Sequence, residues 1–174
     1  MASLKILVLG GVRSGKTALA ESLANRRDLP VVYVATATAG DEEMARRIKR
    51  HQDSRPGHWG LSEAPVELAA ELNRRGAEPE PPQLLIDCMS LWVTNLLFAD
   101  DGVFGRERTA FLKAVEAYPG PLVIVSNEVG LGTIGMDSLT RRFCDELGWL
   151  NQALAQSCDR VIMSVAGLPL NLKG

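Results

Sequence analysis

Five runs of consecutive apolar residues divide the chain, and each ends at or near a glycine or a polar residue. Runs of this length and composition are typical of strands that are buried on both faces of a sheet. We therefore predict strands at residues 5–9, 31–35, 84–87, 122–126 and 160–165.

Between these runs, apolar positions recur every three or four residues, which is the period of a helix. This spacing predicts helices at residues 16–27, 66–75, 91–99, 107–118 and 138–156. One more helix is predicted to begin at Asp41, with acidic residues in its first turn, and to end at residues 55–57. Strands that alternate with helices predict one α/β domain over residues 1–174, with a mainly parallel sheet and helices on both faces.

The composition narrows the function classes. The 174 residues include 19 Lys and Arg and 21 Asp and Glu, so the net charge is −2. A nucleic-acid-binding protein carries excess positive charge, so no nucleic-acid partner is expected. The longest apolar stretch, residues 91–99, is too short to span a bilayer, and no membrane span is expected. Three widely spaced cysteines suggest neither a disulfide framework nor a zinc site, which favours a soluble, reduced, cytoplasmic protein.

The segment GGVRSGKT at residues 10–17 matches the phosphate-loop pattern GxxxxGK[ST] between a predicted strand and a predicted helix. Its glycines allow backbone N–H groups to converge on phosphate oxygens at the positive end of the helix. Lys16 can reach the terminal phosphates of a nucleotide, and the Thr17 hydroxyl can bind Mg²⁺. The alternative is a glycine-rich turn with a chance lysine, and the flanking strand and helix favour the phosphate loop.

Two further groups of polar residues follow predicted strands, at the edge where open α/β sheets form their sites. The strand at residues 84–87 ends in Asp87, whose carboxylate is expected to face the metal or the nucleotide. Ser126, Asn127 and Glu128 lie at the end of the next strand, where Asn127 fits either a binding site or a turn.

His51 shares a predicted helix face with Met44 and Ile48, and this spacing alone favours a histidine packed in the core. Nine charged residues surround it between residues 41 and 55. Such charge is typical of a solvated face, or of guanidinium groups that stabilise charge while a neutral imidazole attacks phosphorus. His58 has no metal-ligand spacing to His51 or to a cysteine, so a zinc site is not expected.

Several segments together resemble one family. In order, they are GGVRSGKT, EMARRIKRHQDSRPGHW, LLIDCMSLWVTNLL, VSNEVGLG and GWLNQALAQSCDRV. They are similar to the bifunctional adenosylcobinamide kinase / adenosylcobinamide-phosphate guanylyltransferases of cobalamin biosynthesis, over nearly the whole chain. The resemblance implies a RecA-like P-loop NTPase fold and, commonly, a homotrimer.

The resemblance also implies two reactions with GTP, ATP and Mg²⁺ as cofactors. A kinase step phosphorylates the aminopropanol hydroxyl of adenosylcobinamide with ATP or GTP. A guanylyltransferase step then moves GMP from GTP, through a guanylyl-histidine, to adenosylcobinamide phosphate, giving adenosylcobinamide-GDP. Asp87 and Glu128 are both candidates for the base that deprotonates the corrinoid hydroxyl.

Matching of the motifs places the nucleophilic histidine on His51. Lys16 of the phosphate loop is the second catalytic residue. The nucleotide contacts that the resemblance implies are Gly10, Gly11, Val12, Arg13, Ser14, Gly15, Lys16, Thr17, Thr36, Ala37, Thr38, Gln52, Asp53, Ser54, Arg55, Glu63 and Asp87. Glu63 and Asp87 are suited to accept from the N–H groups of guanine, although the family commonly has Glu at the second position. The role of Asp87, at Mg²⁺ or at guanine, therefore stays open.

Two rival functions remain at this point. The first is another small-molecule P-loop kinase in which His51 is structural. The second is a nucleotide-gated switch or assembly module, which would turn over nucleotide without a corrinoid and would need a macromolecular partner.

Overall fold

The computed structural model describes residues 3–38, 56–132 and 134–174. Within these ranges the strands are β1 Lys5–Gly10, β2 Val31–Ala35, β3 Gly60–Glu63, β4 Gln83–Asp87, β5 Leu122–Asn127, β6 Arg160–Val165 and β7 Leu168–Lys173. The helices are α1 Lys16–Asn25, α2 Leu68–Gly76, α3 Met89–Leu97, α4 Val103–Ala117 and α5 Ser138–Ser157. The helix predicted to begin at Asp41 lies outside the described residues.

The strands form one sheet in the order β3-β2-β4-β5-β1-β6-β7. All neighbouring pairs are parallel except β6 and β7, which are antiparallel. The carboxyl ends of β1 to β6 therefore meet at one edge of the sheet, and the phosphate loop follows β1 at that edge. A mainly parallel sheet, as the alternation of elements predicts, is confirmed.

Both faces of the sheet are buried, which explains why its strands are continuous apolar runs. In β1, Leu7 and Leu9 face a core shared with α2 to α5, whereas Ile6 and Val8 face a second core shared with α1. Trp92 and Phe111 pack against each other in the first core, with ring centroids 4.9 Å apart. The described part of the chain contains no helix long and apolar enough to cross a membrane.

Two strands were not predicted. β3 has the sequence GLSE, which carries no apolar run, and it forms by pairing with β2 at the edge of the sheet. β7 contains Pro169 and is exposed along its whole length, so it too lacks the pattern of a buried strand. It is joined to β6 by Ala166 and Gly167, which both adopt positive φ, as a tight hairpin requires. Helix α4 begins at Val103, four residues before the predicted start at residue 107.

We expect acid to destabilise the fold partly through Glu71, a buried residue of α2. Burial opposes ionisation of this carboxyl, but hydrogen bonds from Arg74 and Arg75 outweigh it and hold its pKa below the ordinary 4.5. The ionised form therefore stabilises the folded state above pH 4.5, and this stabilisation is lost as the pH falls below that value.

At pH 7 the substitution Glu71→Gln should lower the free energy of unfolding by about 1–3 kcal/mol. Urea unfolding at pH 7 and pH 3 should show this difference shrink in acid, and a difference of equal size at both pH values would contradict the account. Glu80→Gln, at an exposed loop position, serves as the control.

Candidate functional site

The phosphate loop has the backbone conformation that an anion site requires. Arg13 and Gly15 adopt positive φ values of 54° and 88°, on either side of Ser14. Left-handed residues that alternate with others in this way turn successive N–H groups toward one concave side. Lys16 begins α1 at this point, and its ammonium group donates to the Gly11 carbonyl at 3.0 Å. The sequence prediction of a phosphate loop between a strand and a helix is confirmed.

The β6–β7 hairpin forms two hydrogen bonds to the backbone of this loop. The Ser164 hydroxyl donates to the Ser14 carbonyl at 2.7 Å, and the Gly167 N–H donates to the same oxygen at 2.8 Å. Because a trans peptide is planar, a carbonyl fixed on one side directs the next N–H, that of Gly15, to the opposite side. Ser164 was missed in the sequence, although a serine within an apolar strand is a visible signal.

Loss of the Ser164 hydroxyl should weaken nucleotide binding. We expect Ser164→Ala to raise the KM for nucleotide about 2- to 12-fold, which corresponds to one hydrogen bond, because the peptide between Ser14 and Gly15 is less firmly held. A nucleotide titration checks this, with Ser22→Ala on the exposed face of α1 as the control. An unchanged KM in a folded variant would show that the Gly167 N–H alone is sufficient.

Asp87 lies beside the phosphate loop at the end of β4. Its Oδ2 atom accepts from the Tyr33 hydroxyl at 2.8 Å and from the Thr17 hydroxyl at 3.4 Å. Tyr33 is buried within β2 and orients the carboxylate. This role was missed because Tyr33 lies inside an apolar run. The contact joins two predicted site residues, Thr17 and Asp87, from distant parts of the sequence.

Glu63 lies on the far side of β2 from Asp87. Ala35 at the end of β2 is opposite Glu63 on one neighbouring strand and opposite Asp87 on the other. At 4.7–4.9 Å for each strand spacing, the backbones of Asp87 and Glu63 are about 10 Å apart. Glu63 is exposed, so its carboxylate is accessible to a ligand.

Thr36 follows β2 between these two carboxylates and is fully buried. Its hydroxyl donates to the Cys88 carbonyl at 2.8 Å and accepts from the Cys88 N–H at 2.9 Å. The side chain therefore fixes the backbone next to Asp87. The contact of Thr36 with nucleotide stays a prediction, as do those of the half-buried Ala37 and the exposed Thr38.

Two residues of helix α3 donate hydrogen bonds to the loops that follow β2 and β3. The Asn95 side-chain amide donates to the carbonyls of Thr36 and Pro65, both at 2.8 Å. The Trp92 indole N–H donates to the Val66 carbonyl at 2.7 Å. These contacts explain Trp92 and Asn95 in the WVTNLL segment, because they join the loops after β2 and β3 to α3.

The end of β5 is anchored next to the phosphate loop. The Glu128 N–H donates to the Gly10 carbonyl at 3.0 Å. Asn151 of α5 accepts from the Ser126 hydroxyl at 2.6 Å and donates to the Asn127 carbonyl at 3.0 Å. The buried side-chain oxygen of Asn127 has no hydrogen-bond partner among the described residues.

A cavity of about 540 Å³ opens next to Glu63, between α2 and the start of α4. Its walls combine carboxylates, guanidinium groups and one exposed aromatic ring. They include Glu63, Glu67, Arg74, Phe98, Asp100 and Arg106.

The remaining predicted site residues, His51, Gln52, Asp53, Ser54 and Arg55, lie outside the described residues. Within the described ranges no group of three or more His, Cys, Asp or Glu side chains is placed to hold a metal ion.

The three cysteines are free thiols. Burial and then the Asp87 charge raise the pKa of Cys88 to about 11, so this thiol beside the site is protonated at neutral pH and is no nucleophile.

Comparison with known proteins identifies close relatives. The model of the family described as "Cobinamide kinase / cobinamide phosphate guanyltransferase" matches residues 6–172. The bifunctional adenosylcobalamin biosynthesis protein CobP of Pseudomonas aeruginosa is 51% identical over 170 residues, covering 97% of this chain and 96% of that protein. The bifunctional adenosylcobalamin biosynthesis protein CobU of Salmonella typhimurium is 37% identical over 183 residues, covering 97% of this chain and 99% of that protein.

Solved structures resemble the chain in fold alone. A protein from Pyrococcus horikoshii OT3 superimposes with a TM-score of 0.56 at 12% identity, covering 99% of this chain and 87% of its own. The RadB recombinase superimposes with a TM-score of 0.51 at 12% identity, covering 93% of this chain and 74% of its own. The expected RecA-like P-loop NTPase fold is confirmed.

Proposed function

The chain belongs to the cobinamide kinase / cobinamide phosphate guanyltransferase family of bifunctional enzymes, and we propose that it performs both reactions on one corrinoid. In the first reaction, the aminopropanol hydroxyl of adenosylcobinamide attacks the γ-phosphorus of ATP or GTP. The hydroxyl gives its proton to a base, for which Asp87 and Glu128 are the candidates, and the nucleoside diphosphate leaves. In the second, the new phosphate takes GMP from GTP, which gives adenosylcobinamide-GDP and pyrophosphate.

The observation that carries this proposal is the phosphate loop of residues 10–17, with Lys16 and Thr17 at the same edge of the sheet as Asp87. Both reactions break a bond between phosphorus and a phosphate oxygen, and both leave negative charge that a positioned ammonium group stabilises. Lys16 is suited to this role because its ammonium group already contacts the loop, at the Gly11 carbonyl.

We propose that Mg²⁺ binds at Thr17 and Asp87. Adjacent oxygen ligands of an octahedral Mg²⁺ are about 2.9 Å apart, given bonds of 2.0–2.1 Å. The 3.4 Å between Thr17 Oγ1 and Asp87 Oδ2 allows both atoms to approach one ion. One carboxylate is enough for such a site, since Mg²⁺ retains water and binds substrate phosphates. When bound, the ion neutralises charge on the phosphates.

A covalent intermediate on His51 divides the second reaction into two displacements. A nitrogen of the neutral imidazole attacks the α-phosphorus of GTP, an N–P bond forms, and the bond to the bridging oxygen breaks to release pyrophosphate. A phosphate oxygen of adenosylcobinamide phosphate then attacks the same phosphorus, and the N–P bond breaks. The support for this step is the sequence match at residues 43–59 and the nucleophilicity of a neutral imidazole near pH 7.

Glu63 rather than Asp87 is the better candidate for guanine recognition. The oxygen of Asp87 that faces the phosphate loop already accepts from Tyr33 and Thr17. Glu63 is exposed, and its backbone is about 10 Å away along the sheet edge, a separation that suits the reach from phosphate to base. A carboxylate accepts from both N1–H and N2–H of guanine.

Two matched substitutions test these roles. Asp87→Asn should raise the Mg²⁺ concentration needed for half-maximal rate about tenfold in both reactions. Glu63→Gln should raise the KM for GTP about tenfold or more, since the amide accepts fewer of the guanine donors, and should leave the KM for ATP unchanged. Steady-state titrations of Mg²⁺, GTP and ATP measure both effects, and Asp28→Asn, on the exposed loop before β2, is the control. If Asp87→Asn alters the preference between GTP and ATP but not the Mg²⁺ dependence, Asp87 faces guanine instead.

The proposal extends to the whole chain. Residues 1–174 form a single catalytic domain, an assignment supported by the one sheet that all described strands join. We propose a homotrimer, as the resemblance implies. We also propose a cytoplasmic location, because a reducing compartment suits three unpaired thiols.

A further inference from the structure

The side chain of Asn127, at the end of β5, contains a polar atom that the proposed mechanism does not use. Its Oδ1 atom is buried and has no hydrogen-bond partner among the described residues. Buried polar atoms are nearly always paired, because leaving one without a partner is unfavourable. Asn127 lies at the edge of the sheet where the site forms, so its side chain is a candidate contact for a bound ligand.

The backbone around Asn127 is fixed by hydrogen bonds. Its carbonyl accepts from the Asn151 side chain of α5 at 3.0 Å, and the next N–H, that of Glu128, donates to the Gly10 carbonyl at 3.0 Å. Gly10 is also the residue opposite Asn127 in the pairing of β1 with β5. The amide group is therefore carried on a rigid strand end, which is the placement that precise contact with a ligand requires.

Asn127 projects from the same face of the sheet as Asp87. Side chains alternate between the two faces along a strand. Val125 of β5 and Leu85 of β4 both belong to the core shared with α1. Asn127 and Asp87, each two residues further along its strand, therefore point to that face.

The phosphate loop reaches this face directly beside Asn127. A Cβ atom added to Gly10 would overlap the hydroxyl oxygen of Ser14, so that oxygen takes the space in front of Gly10. Since Gly10 and Asn127 are one strand spacing apart, the Ser14 oxygen lies within about 7 Å of the Asn127 Cβ. Ser14 is buried, and its hydroxyl oxygen likewise has no hydrogen-bond partner among the described residues.

Groups suited to the terminal phosphates lie on both sides of Asn127. Strand β5 separates β1 from β4 in the sheet. On the β1 side, the Lys16 ammonium group donates to the Gly11 carbonyl, and on the β4 side, Asp87 accepts from Thr17. The lysine of a phosphate loop contacts the β- and γ-phosphates, and Mg²⁺ beside such a loop bridges oxygens of the same two groups. The space between them, in front of Asn127, therefore suits the γ-phosphate.

We propose that Asn127 binds the γ-phosphate of the nucleoside triphosphate through its side-chain amide, an inference that rests on the proposed use of the phosphate loop. The amide nitrogen has two N–H donors, and a phosphate oxygen accepts one of them. The Ser14 hydroxyl has a proton to donate to Oδ1, and this contact pairs both buried oxygens. A residue that contacts only the γ-phosphate makes the protein bind triphosphate more tightly than diphosphate, so the diphosphate is released more readily after phosphoryl transfer.

The test compares the binding of triphosphate and diphosphate to the full-length protein with Asn127→Ala. The probes are ATP, and GTP whose α,β-bridging oxygen is replaced by CH2 so that it cannot guanylylate the protein. Each is titrated beside its diphosphate, with Mg²⁺ and without corrinoid. We expect the Kd for the triphosphates to rise about tenfold or more, as for loss of a hydrogen bond to a charged group, and the Kd for ADP and GDP to stay within about twofold. Asn73→Ala, at an exposed position of α2, should alter neither.

A second variant, Asn127→Asp, separates contact with phosphate from support of the loop. Aspartate keeps the shape of the side chain but replaces the N–H donors with a negative charge, which repels the γ-phosphate. Binding of the triphosphates should therefore be weaker than in Asn127→Ala, whereas the diphosphates should lose less. Equal losses for triphosphate and diphosphate in both variants would show that Asn127 only supports the phosphate loop, and would overturn the inference.

Two other results would also overturn it. Unchanged Kd values for the triphosphates in Asn127→Ala would show that the amide does not touch the γ-phosphate. A higher KM for adenosylcobinamide, with unchanged binding of triphosphate, would assign the amide to the acceptor hydroxyl instead. If the unsubstituted protein binds nucleotide but does not phosphorylate adenosylcobinamide, the proposed function fails, and the comparison of Kd values still tests the role of Asn127.

Discussion

Replacing His51 by asparagine is expected to lower guanylyl transfer by at least about 10³-fold, which is the scale of losing a catalytic nucleophile. Asparagine keeps a hydrogen-bonding side chain of similar size but cannot attack phosphorus. In the proposed kinase reaction the phosphoryl group passes directly to the corrinoid hydroxyl, so this reaction should stay within a few-fold of the unsubstituted rate. Separate assays, with adenosylcobinamide plus ATP and with adenosylcobinamide phosphate plus GTP, measure the two rates.

The chain offers a matched control for this experiment. His58 is the only other histidine in the sequence, and it is exposed. His58→Asn should leave both reactions unchanged. An equal fall in both reactions for His51→Asn would indicate that His51 has a structural role, and the chain would then be a kinase whose histidine takes no part in chemistry.

Replacing Lys16 by methionine is expected to lower both reactions, each by about 10²–10³-fold. Methionine keeps the length of the side chain and removes the charge that we propose stabilises the phosphates of the nucleotide. Because we assign one phosphate loop to both reactions, the two losses should be similar. Rates of phosphorylation and of guanylyl transfer at saturating substrate check this expectation.

The comparison of the two losses is informative in itself. Lys113→Met, an exposed lysine of α4, is the control for a general effect of charge. If Lys16→Met abolishes phosphorylation and leaves guanylyl transfer intact, the two reactions use separate nucleotide sites, and the assignment of one shared loop is wrong.

The sequence predicts the central sheet well because its strands are buried on both faces. In β1, β2, β4, β5 and β6 burial demands unbroken apolar runs, and such runs are visible without a structure. The two edge strands were missed for the opposite reason. β3 and β7 are defined by hydrogen bonds to one neighbour, and their exposed side chains carry no apolar pattern.

The candidate site was predicted only in part, and the difference follows from sequence distance. Gly10 to Thr17 form a local pattern of eight consecutive residues, and this pattern alone predicts phosphate binding. The contact of Thr17 with Asp87 joins residues 70 positions apart, and only the order of the strands brings them together. Tyr33 and Ser164 act through hydroxyl groups within apolar strands. There the apolar pattern indicates that the residue is buried, but it does not show which group the hydroxyl binds.

The most direct test of the account is the intact mass of the purified protein after incubation with GTP and Mg²⁺ but no corrinoid. The account predicts a gain of one GMP unit per chain, lost in acid as a phosphoramidate is and mapped to His51 by peptide sequencing. Addition of adenosylcobinamide phosphate should remove it and yield adenosylcobinamide-GDP. Folded protein that binds GTP but gains no mass, or that carries GMP on another residue, would contradict the account.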